Sequence, residues 1–433
     1  MSLFLRTLRG LLLLWTLLAV PRLAAQDRAA EPLPLDLATI QAAVRAGNPA
    51  LEASRLEVDA LRARRDQVAT MPDPRVMVTY LPAPIYTAVG AQRSQWRIEQ
   101  AVPYAGTLGL RSDVAMLSAD VARHEAEAYG LDLVLEATKA FLTLDRVARM
   151  RGVIAAFRDR LTDFEAAAAS QYEVGAGSQQ AILKLQLERN SLDQRELVLE
   201  REWRTAHALL ERLTNRSVAT EGQPVSGYDG VALPGLPVDS LETLARRLRP
   251  EVQALDLAEA RAEAQVALAR KAALPELGVN VTYFDLAPAN RPPGAPGRDA
   301  LALGVSLSVP LHRDRVRAQE TEARLRGDQV RARQEALASA ISTQLTDAWH
   351  QVRLESEQVA LLRDALIPRA ETTRQAALSA YATGAAPFLD LLDAERMLFS
   401  LDLALEEARY RYLNAHAALE RALGVSSLND TIR

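Results

Sequence analysis

The chain has 433 residues, of which 49% are apolar but only 5% aromatic, and its formal net charge is −4. This length allows two or three ordinary domains, and a pI near 5.9 gives no basic surface suited to nucleic acid. Cysteine is absent, which excludes disulfides, thiolate metal sites and lipidation of an N-terminal cysteine.

The N-terminal segment is typical of a removable export signal. Arg6 and Arg9 precede an apolar run from Leu11 to Val20, and the small residues Ala24 and Ala25 follow it. This run is too short to span a membrane as a helix. We therefore predict a signal peptide over residues 1–25 and export of the remaining chain.

The rest of the sequence is internally duplicated. Three pairs of segments correspond in the two halves: Ile98–Pro103 with Val305–Pro310, Tyr172–Gly175 with Tyr381–Gly384, and Leu209–Leu213 with Ala418–Ala422. We predict a first repeat over residues 26–214, a connecting segment over 215–239, a second repeat over 240–424 and a tail over 425–433. Each repeat should contain a short helix, two strands and a long helical hairpin.

Four segments alternate between apolar and small or polar residues, as Leu301, Leu303 and Val305 alternate with Ala302 and Gly304. We predict strands over 75–81, 95–102, 276–285 and 300–309, with residues 82–94 and 286–299 separating the members of each pair. The alternation fits either a half-buried soluble sheet or transmembrane strands. Export, and the lack of a helical segment long enough to span, favour the membrane.

Four strands do not close a barrel, because about eight strands are the working minimum. Lipid does not tolerate an open sheet edge, since backbone groups there would lack hydrogen-bond partners. If the strands lie in a membrane, several chains must therefore share one barrel.

Long helices follow each pair of strands. The pattern predicts a helix from Leu108 to about Gln171 and a return helix over Ser178–Leu213, with Ser178 as N-cap. The second repeat should match this with Arg313–Tyr381, interrupted at Pro368, and a return helix over residues 387–423. The return helix has a coiled-coil seam: Leu391, Ala394, Leu398, Leu401, Leu405, Ala408, Tyr412, Ala415, Leu419 and Ala422. Each repeat thus ends in an antiparallel hairpin, with tips near 172–178 and 381–387.

These features together resemble the TolC family of outer-membrane efflux proteins, most strongly over Tyr172–Gln186 and Tyr381–Glu395. The resemblance extends from about Leu35 to Gly424. It implies an α+β membrane protein that assembles as a homotrimer. Long antiparallel helical hairpins would form a periplasmic α-barrel, and four strands per chain would contribute to a shared 12-stranded outer-membrane β-barrel.

The resemblance implies a passive exit duct of a tripartite efflux system, located in the bacterial outer membrane with a large periplasmic part. The implied partners are two further copies of the chain, outer-membrane lipid, a periplasmic adaptor (membrane fusion) protein and an inner-membrane pump of the RND type. Met71–Pro74 and Glu99–Gly106 resemble the heavy-metal-efflux branch, so metal cations are one candidate cargo. Exit ducts for drug efflux and for type I protein secretion are the alternatives.

The resemblance also assigns candidate site residues at the hairpin tips. Asp390 and Asp393 match two aspartates that ring the periplasmic entrance, and Tyr381 matches a tyrosine that latches the closed entrance. Without the resemblance, the two aspartates would only complement the positive end of a helix. The residues that match the adaptor-docking tips are Val174, Gly175, Ala176, Thr383, Gly384 and Ala385.

Three other classes of protein are less consistent with this sequence. A periplasmic adaptor would have one hairpin between β-rich domains, and a coiled-coil scaffold would need neither an export signal nor alternating strands. An enzyme is not expected, because no Ser/His/Asp arrangement or phosphate-binding loop is recognisable. The histidines, at positions 124, 207, 312, 350 and 416, show no ligand spacing, so neither a cofactor nor a metal site is expected.

Overall fold

The computed structural model describes residues 31–87, 90–173, 178–224, 237–287 and 298–426. The elements of the first repeat are α1 (Leu37–Gly47), α2 (Pro49–Ala69), β1 (Arg75–Thr87), β2 (Gly90–Val102), α3 (Thr107–Glu173) and α4 (Gln179–Thr214). Those of the second are α5 (Val238–Leu248), α6 (Pro250–Lys271), β3 (Glu276–Ala287), β4 (Ala300–Ser308), α7 (Arg313–Leu361), a π-helical turn (Leu362–Leu366), α8 (Ile367–Ala382) and α9 (Phe388–Leu423). The two repeats have the same order of elements.

Side-chain caps fix where the helices of the first repeat begin. The Asn48 side chain accepts hydrogen bonds from the backbone N–H groups of Ala50 and Leu51, at the start of α2. Its amide also donates to the Leu213 carbonyl at 2.8 Å, which ties α2 to the end of α4. Ser178 caps α4 by accepting from the Gln180 N–H, as the sequence predicts.

The long helix of the second repeat is interrupted where Pro368 predicts an interruption. Proline lacks a backbone N–H, and its ring clashes with the carbonyl of the residue four positions earlier. The chain responds with the π-helical turn over Leu362–Leu366, after which the Ile367 N–H donates to the Leu362 carbonyl, five residues back. By contrast, α3 continues for 67 residues without a break.

The strands of the first repeat are longer than predicted. β1 continues to Thr87 and β2 begins at Gly90, so most of residues 82–94 belong to the sheet and do not separate its strands. Pro82 and Pro84 mislead the prediction, because they fall where the register shifts between Tyr80 and Ile85. Proline is tolerated at such irregularities and on edge strands.

The other boundaries change less. β3 ends at Ala287 and β4 at Ser308, within two residues of the predicted limits. Residues 288–297, in the predicted loop between them, lie outside the described residues. The sequence pattern did not predict α1, which Asp36 caps by accepting from the Thr39 N–H, nor α5, which begins inside the predicted connecting segment.

The four strands form one antiparallel sheet in the order β1-β2-β3-β4, so β2 and β3 join the two repeats. One face of the sheet is apolar and exposed in the single chain; it comprises Val76, Val78, Trp96, Ile98, Val281, Tyr283, Leu301 and Leu303. The other face is polar or small and comprises Arg97, Glu99, Asn280, Thr282, Gly304 and Ser306. The predicted alternation is therefore present across all four strands.

The helices form a single-layer wall beneath the sheet. Next to the strands, α2 packs on α3, α3 on α6 and α6 on α7; farther away, α4 packs on α3, α3 on α9 and α9 on α7 and α8. In the lower part, Phe157 of α3 stacks on Phe399 of α9 with ring centroids 4.2 Å apart. No helix within the described ranges is both long and apolar enough to cross a membrane.

Candidate functional site

The tip of the second hairpin is a tight left-handed turn at Gly384. This residue has φ +74°, a conformation that residues with a Cβ rarely adopt. The turn is closed by the Ala385 N–H, which donates to the Ala380 carbonyl at 2.8 Å, the long-range bond of a Schellman motif. The predicted docking residues Thr383, Gly384 and Ala385 therefore form one rigid turn. Their predicted counterparts Val174, Gly175 and Ala176 lie outside the described residues.

Tyr381 links the two hairpins of one chain beside this turn. Its hydroxyl donates to Oε1 of Gln171, near the end of α3, at 2.9 Å. Its ring packs edge-on against Phe388 of α9, with centroids 5.6 Å apart. These contacts border a cavity of about 470 Å³ between the hairpin ends.

The two predicted entrance aspartates lie on one side of α9, three residues apart, and both are exposed. Asp390 lies in the first turn of the helix. The Asp393 carboxylate, 75% exposed, is 3.5 Å from Nη1 of Arg396 on the same helix. Arg396 also donates to Glu188 of α4 at 2.6 Å. Asp393 is therefore paired with Arg396 of its own helix.

A buried ionic cluster, which the sequence did not predict, is centred two residues after Asp393. Glu395 of α9 is fully buried. It accepts from Nε of Arg160 on α3 at 3.0 Å and from Nη1 of Arg374 on α8 at 3.2 Å. Arg374 also donates to Glu371 at 2.6 Å, and the bonds to Glu371 and Glu395 raise its pKa. The cluster thus joins three helices at the lower end of the wall.

Acidic residues continue this surface of α9 towards the sheet. Burial raises the pKa of Asp402 and of Glu406 above their ordinary values, although nearby arginines oppose the shift. With Leu392, Glu395 and Phe399, these residues form a stripe at steps of three and four, one position beside the predicted seam. A stripe of mixed apolar and acidic residues is the signal that could have revealed the contact with α3.

The polar face of the sheet is a second candidate site. The Arg97 Nε donates to Oγ1 of Thr282 on the neighbouring strand at 3.2 Å. One register row nearer the helices, the Ser306 hydroxyl donates to Glu99 at 3.5 Å. A solute beside this face would meet the positive charge of Arg97 and, nearer the helices, the negative charge of Glu99.

Within the described ranges, no group of three or more histidine, aspartate or glutamate side chains is arranged to hold a metal ion. The arrangement at the tips is instead one of exposed carboxylates, a turn and hydrogen bonds between hairpins. Such an arrangement can attract cations or dock a partner, since exposed carboxylates on one side create a negative potential.

A comparison with known protein families gives a match to the second repeat. Residues 241–425 match the family model of the outer membrane efflux proteins. The match covers the second repeat and shows that this repeat is similar in sequence to the outer membrane efflux proteins. Outer membrane efflux proteins are channels of the bacterial outer membrane with a large periplasmic helical part. The family consists of passive channels and is not a class of enzymes.

Solved structures show the same fold over most of the chain. CusC aligns at 17% identity over 90% of this chain and 92% of its own, with a TM-score of 0.76. VceC from Vibrio cholerae aligns at 17% identity over 90% and 96% (TM-score 0.72), and the outer membrane channel MtrE from Neisseria gonorrhoeae at 16% over 90% and 89% (TM-score 0.72). A search of curated protein sequences found no significant match. The predicted fold class, helical hairpins with four strands per chain, is confirmed.

Proposed function

We propose that this chain is an outer membrane efflux protein and that three copies of it form the exit duct of a tripartite efflux system. The observation that carries the proposal is that sheet and helical wall are open at the same two edges. β1 and β4 each have an unpaired edge, and the outermost helices next to them are α2 and α7. An edge exposed to lipid must find a partner strand, so β1 of one copy pairs with β4 of the next.

Exposed leucines support the same closure of the upper wall. Leu56 of α2 and Leu325 of α7 are 58% and 62% exposed in the single chain. Leu56 lies 13 residues before the end of α2, and Leu325 lies 12 residues after the start of α7. At about 1.5 Å per residue, both lie roughly 18–20 Å from the end of their helix that is nearer the sheet. Copies placed side by side would bring these two leucines together.

The lower wall has a second matched pair on its outermost helices. Leu183 of α4 is 57% exposed and Leu378 of α8 is 40% exposed. Each lies four residues from the tip end of its helix, about 6 Å along the axis. Two leucine pairs at equal depths indicate that the free edges are complementary to one another along most of the wall.

In this assembly the hairpin tips are the periplasmic entrance. Asp390 and Asp393 of three copies would form a ring of six carboxylates, which attracts cations, and Tyr381 would hold the second hairpin against the first. The turn of Thr383, Gly384 and Ala385, together with Val174, Gly175 and Ala176 of the first hairpin, would dock a periplasmic adaptor. The exposure of both aspartates and the rigid geometry at Gly384 support these roles.

The partners follow from the position of the duct. A channel that conducts passively needs an inner-membrane pump, of the RND type, to supply energy, and the adaptor to connect the two. Metal cations are the proposed cargo at the acidic entrance, with drug efflux and type I protein secretion as alternatives. The apolar face of the sheet would contact outer-membrane lipid, which fits its alternating pattern.

A cross-link between the leucine pair tests the assembly, because the chain has no native cysteine. Leu56→Cys with Leu325→Cys, purified from outer membranes and oxidised, should migrate as a covalent trimer on a non-reducing denaturing gel. Each single variant should remain monomeric, which controls for random collision. Monomer only from the double variant, or a monomer of the untreated protein in detergent by light scattering, would contradict the proposal.

A further inference from the structure

Arg97, on the polar face of the sheet, makes no ion pair with any described residue. Arg97 of β2 lies in a register row with Met77 of β1, Thr282 of β3 and Ala302 of β4. Within the part of the chain that the structure describes, no carboxylate lies within ion-pair distance of its guanidinium, and its side-chain hydrogen bond goes to the Thr282 hydroxyl at 3.2 Å. Thr282 is itself buried. The cation is thus held against the sheet by a neutral partner.

The other charges of this face do not neutralise Arg97. Glu99 lies two residues from Arg97 on β2, roughly 7 Å along the strand. Its carboxylate is directed across β3, where it accepts a hydrogen bond from Ser306 of β4, and among the described residues it makes no ion pair with Arg97. Glu276 lies three rows from Arg97, at the helix end of the sheet. Rows on one face are two residues apart, so three rows are six residues, or roughly 20 Å at about 3.4 Å per residue. The screening length in physiological salt is about 8 Å.

We propose that Arg97 is a selectivity-determining residue of the duct, which makes the barrel attract anions and disfavour cations. The inference rests on the proposed function, because the polar face becomes the inner wall only when three copies close a barrel. Three Arg97 guanidiniums then form a ring at one level, and rings of arginine or lysine select for anions and phosphates in pores. The ligand class is a solute with phosphate, sulfate or carboxylate groups.

With the Arg97 ring in place, the duct has negative charge at one end and positive charge at the other. Asp390 and Asp393 at the hairpin tips attract cations, while Arg97, in the sheet, attracts anions. A free divalent cation is therefore favoured at the entrance and disfavoured in the barrel. Solutes that carry both signs, or metal ions complexed with anionic ligands, suit this sequence of charges better than bare cations do.

Ion selectivity in planar bilayers tests the proposal on the full-length trimer. Arg97→Gln should raise the K⁺/Cl⁻ permeability ratio by about twofold or more, because a ring of fixed positive charges is lost. Sodium triphosphate added from the strand side should block the wild type and not Arg97→Gln. Asp390→Asn with Asp393→Asn should shift the ratio in the opposite direction. Arg93→Gln is the matched control, since Arg93 already pairs with Asp285 at 3.2 Å.

The results separate this inference from the proposed function. If no variant and no wild-type preparation forms a channel, the proposed duct is wrong. If channels form but Arg97→Gln keeps the wild-type permeability ratio and triphosphate block, the selectivity role of Arg97 is wrong. Arg97→Lys keeps the charge and should keep the selectivity; a loss equal to that of Arg97→Gln would show a role in sheet geometry and overturn the proposal.

Discussion

The two helical hairpins share one architecture but differ in continuity. In the first hairpin α3 is an unbroken helix of 67 residues, whereas its counterpart in the second is divided into α7, a π-helical turn and α8. The second hairpin also has the exposed aspartates and the buried cluster around Glu395. The two halves of the duplicated fold are therefore unequal. The first hairpin has a continuous long helix, whereas in the second the long helix is divided and α8 is held by polar contacts.

Corresponding positions show how this difference is encoded. Residues of the two hairpins correspond at the offset between Tyr172 and Tyr381. At that offset the buried Glu395 corresponds to the exposed Gln186, and Asp393 to Lys184. Buried Leu192, Leu199 and Leu210 of α4 correspond to apolar residues of α9, so the packing is retained in both hairpins. The charged residues differ, so the exposed aspartates and the buried carboxylate occur in the second hairpin.

The largest effect is expected from removing the buried carboxylate. Glu395→Ala leaves Arg160 and Arg374 facing each other without their shared partner. Breaking a buried ion pair from one side typically costs about 3–5 kcal/mol, and the partial exposure of both arginines places this site near the lower end. We expect a lower midpoint for guanidinium-induced loss of helical circular dichroism.

The corresponding residue of the first hairpin supplies the control. Gln186 is exposed and donates to Glu165 at 3.2 Å, so Gln186→Ala should change the free energy of unfolding by less than about 0.5 kcal/mol. Equal destabilisation by the two alanine variants would mean that the hairpins are not distinguished by this cluster.

Adding a proline to α3, or removing Pro368 from α8, tests why one hairpin has a continuous long helix and the other does not. Asp159 of α3 corresponds to Pro368 and is exposed, between the buried Phe157 and Leu161. Asp159→Pro should destabilise the protein by about 3 kcal/mol or more, because it removes a hydrogen bond and clashes with the preceding turn. Asp159→Ala is the control. Pro368→Ala should have a much smaller effect, since α8 is already separated by the π-helical turn; a similar loss in both proline exchanges would contradict this view.

Much of the fold was predictable because it depends on periodic patterns. Alternation identified all four strands, and the glycine turns with their apolar seams identified the hairpins. The misplaced loop at residues 82–94 shows the limit: Pro82 and Pro84 are tolerated by the register shift in β1, which depends on the partner strand. Helix α5 was missed, although its buried residues Leu241 and Ala245 are spaced by four.

The site was only partly predictable for a different reason. Asp390, Asp393 and Tyr381 were identified by resemblance, and the structure gives their exposure and contacts, while their roles stay predictions. The cluster of Glu395, Arg160 and Arg374 joins residues far apart in sequence, and each arginine alone has the pattern of a surface charge. Only the packing of α3, α8 and α9 brings them together.

Acid should weaken the second hairpin through one histidine. Burial lowers the pKa of His416 from 6.5 to about 4. The unfolded chain therefore binds a proton between these pH values that the folded chain does not bind. The contribution of neutral His416 to the free energy of unfolding is fully present above pH 6.5. It is lost as the pH falls towards 4, by up to about 3 kcal/mol. His416→Gln should reduce this acid-dependent loss in a pH series of guanidinium midpoints; His350→Gln, at an exposed position, is the control. An unchanged pH dependence in His416→Gln would contradict the assignment.

The smallest effect on stability is expected at the tip, where function should respond more. An added Cβ at Gly384 would meet no atom within 4 Å, so the cost of Gly384→Val comes from the backbone at φ +74°. A β-branched residue in this region costs about 1–2 kcal/mol, while asparagine, which tolerates it, should cost less. If the turn docks the adaptor, Gly384→Val should lower export at equal outer-membrane abundance, and Gly384→Asn should retain most of it. Wild-type export by Gly384→Val would show that the turn geometry is not required for docking. A loss of export in both variants would show that the surface of the glycine, and not its backbone conformation, makes the contact.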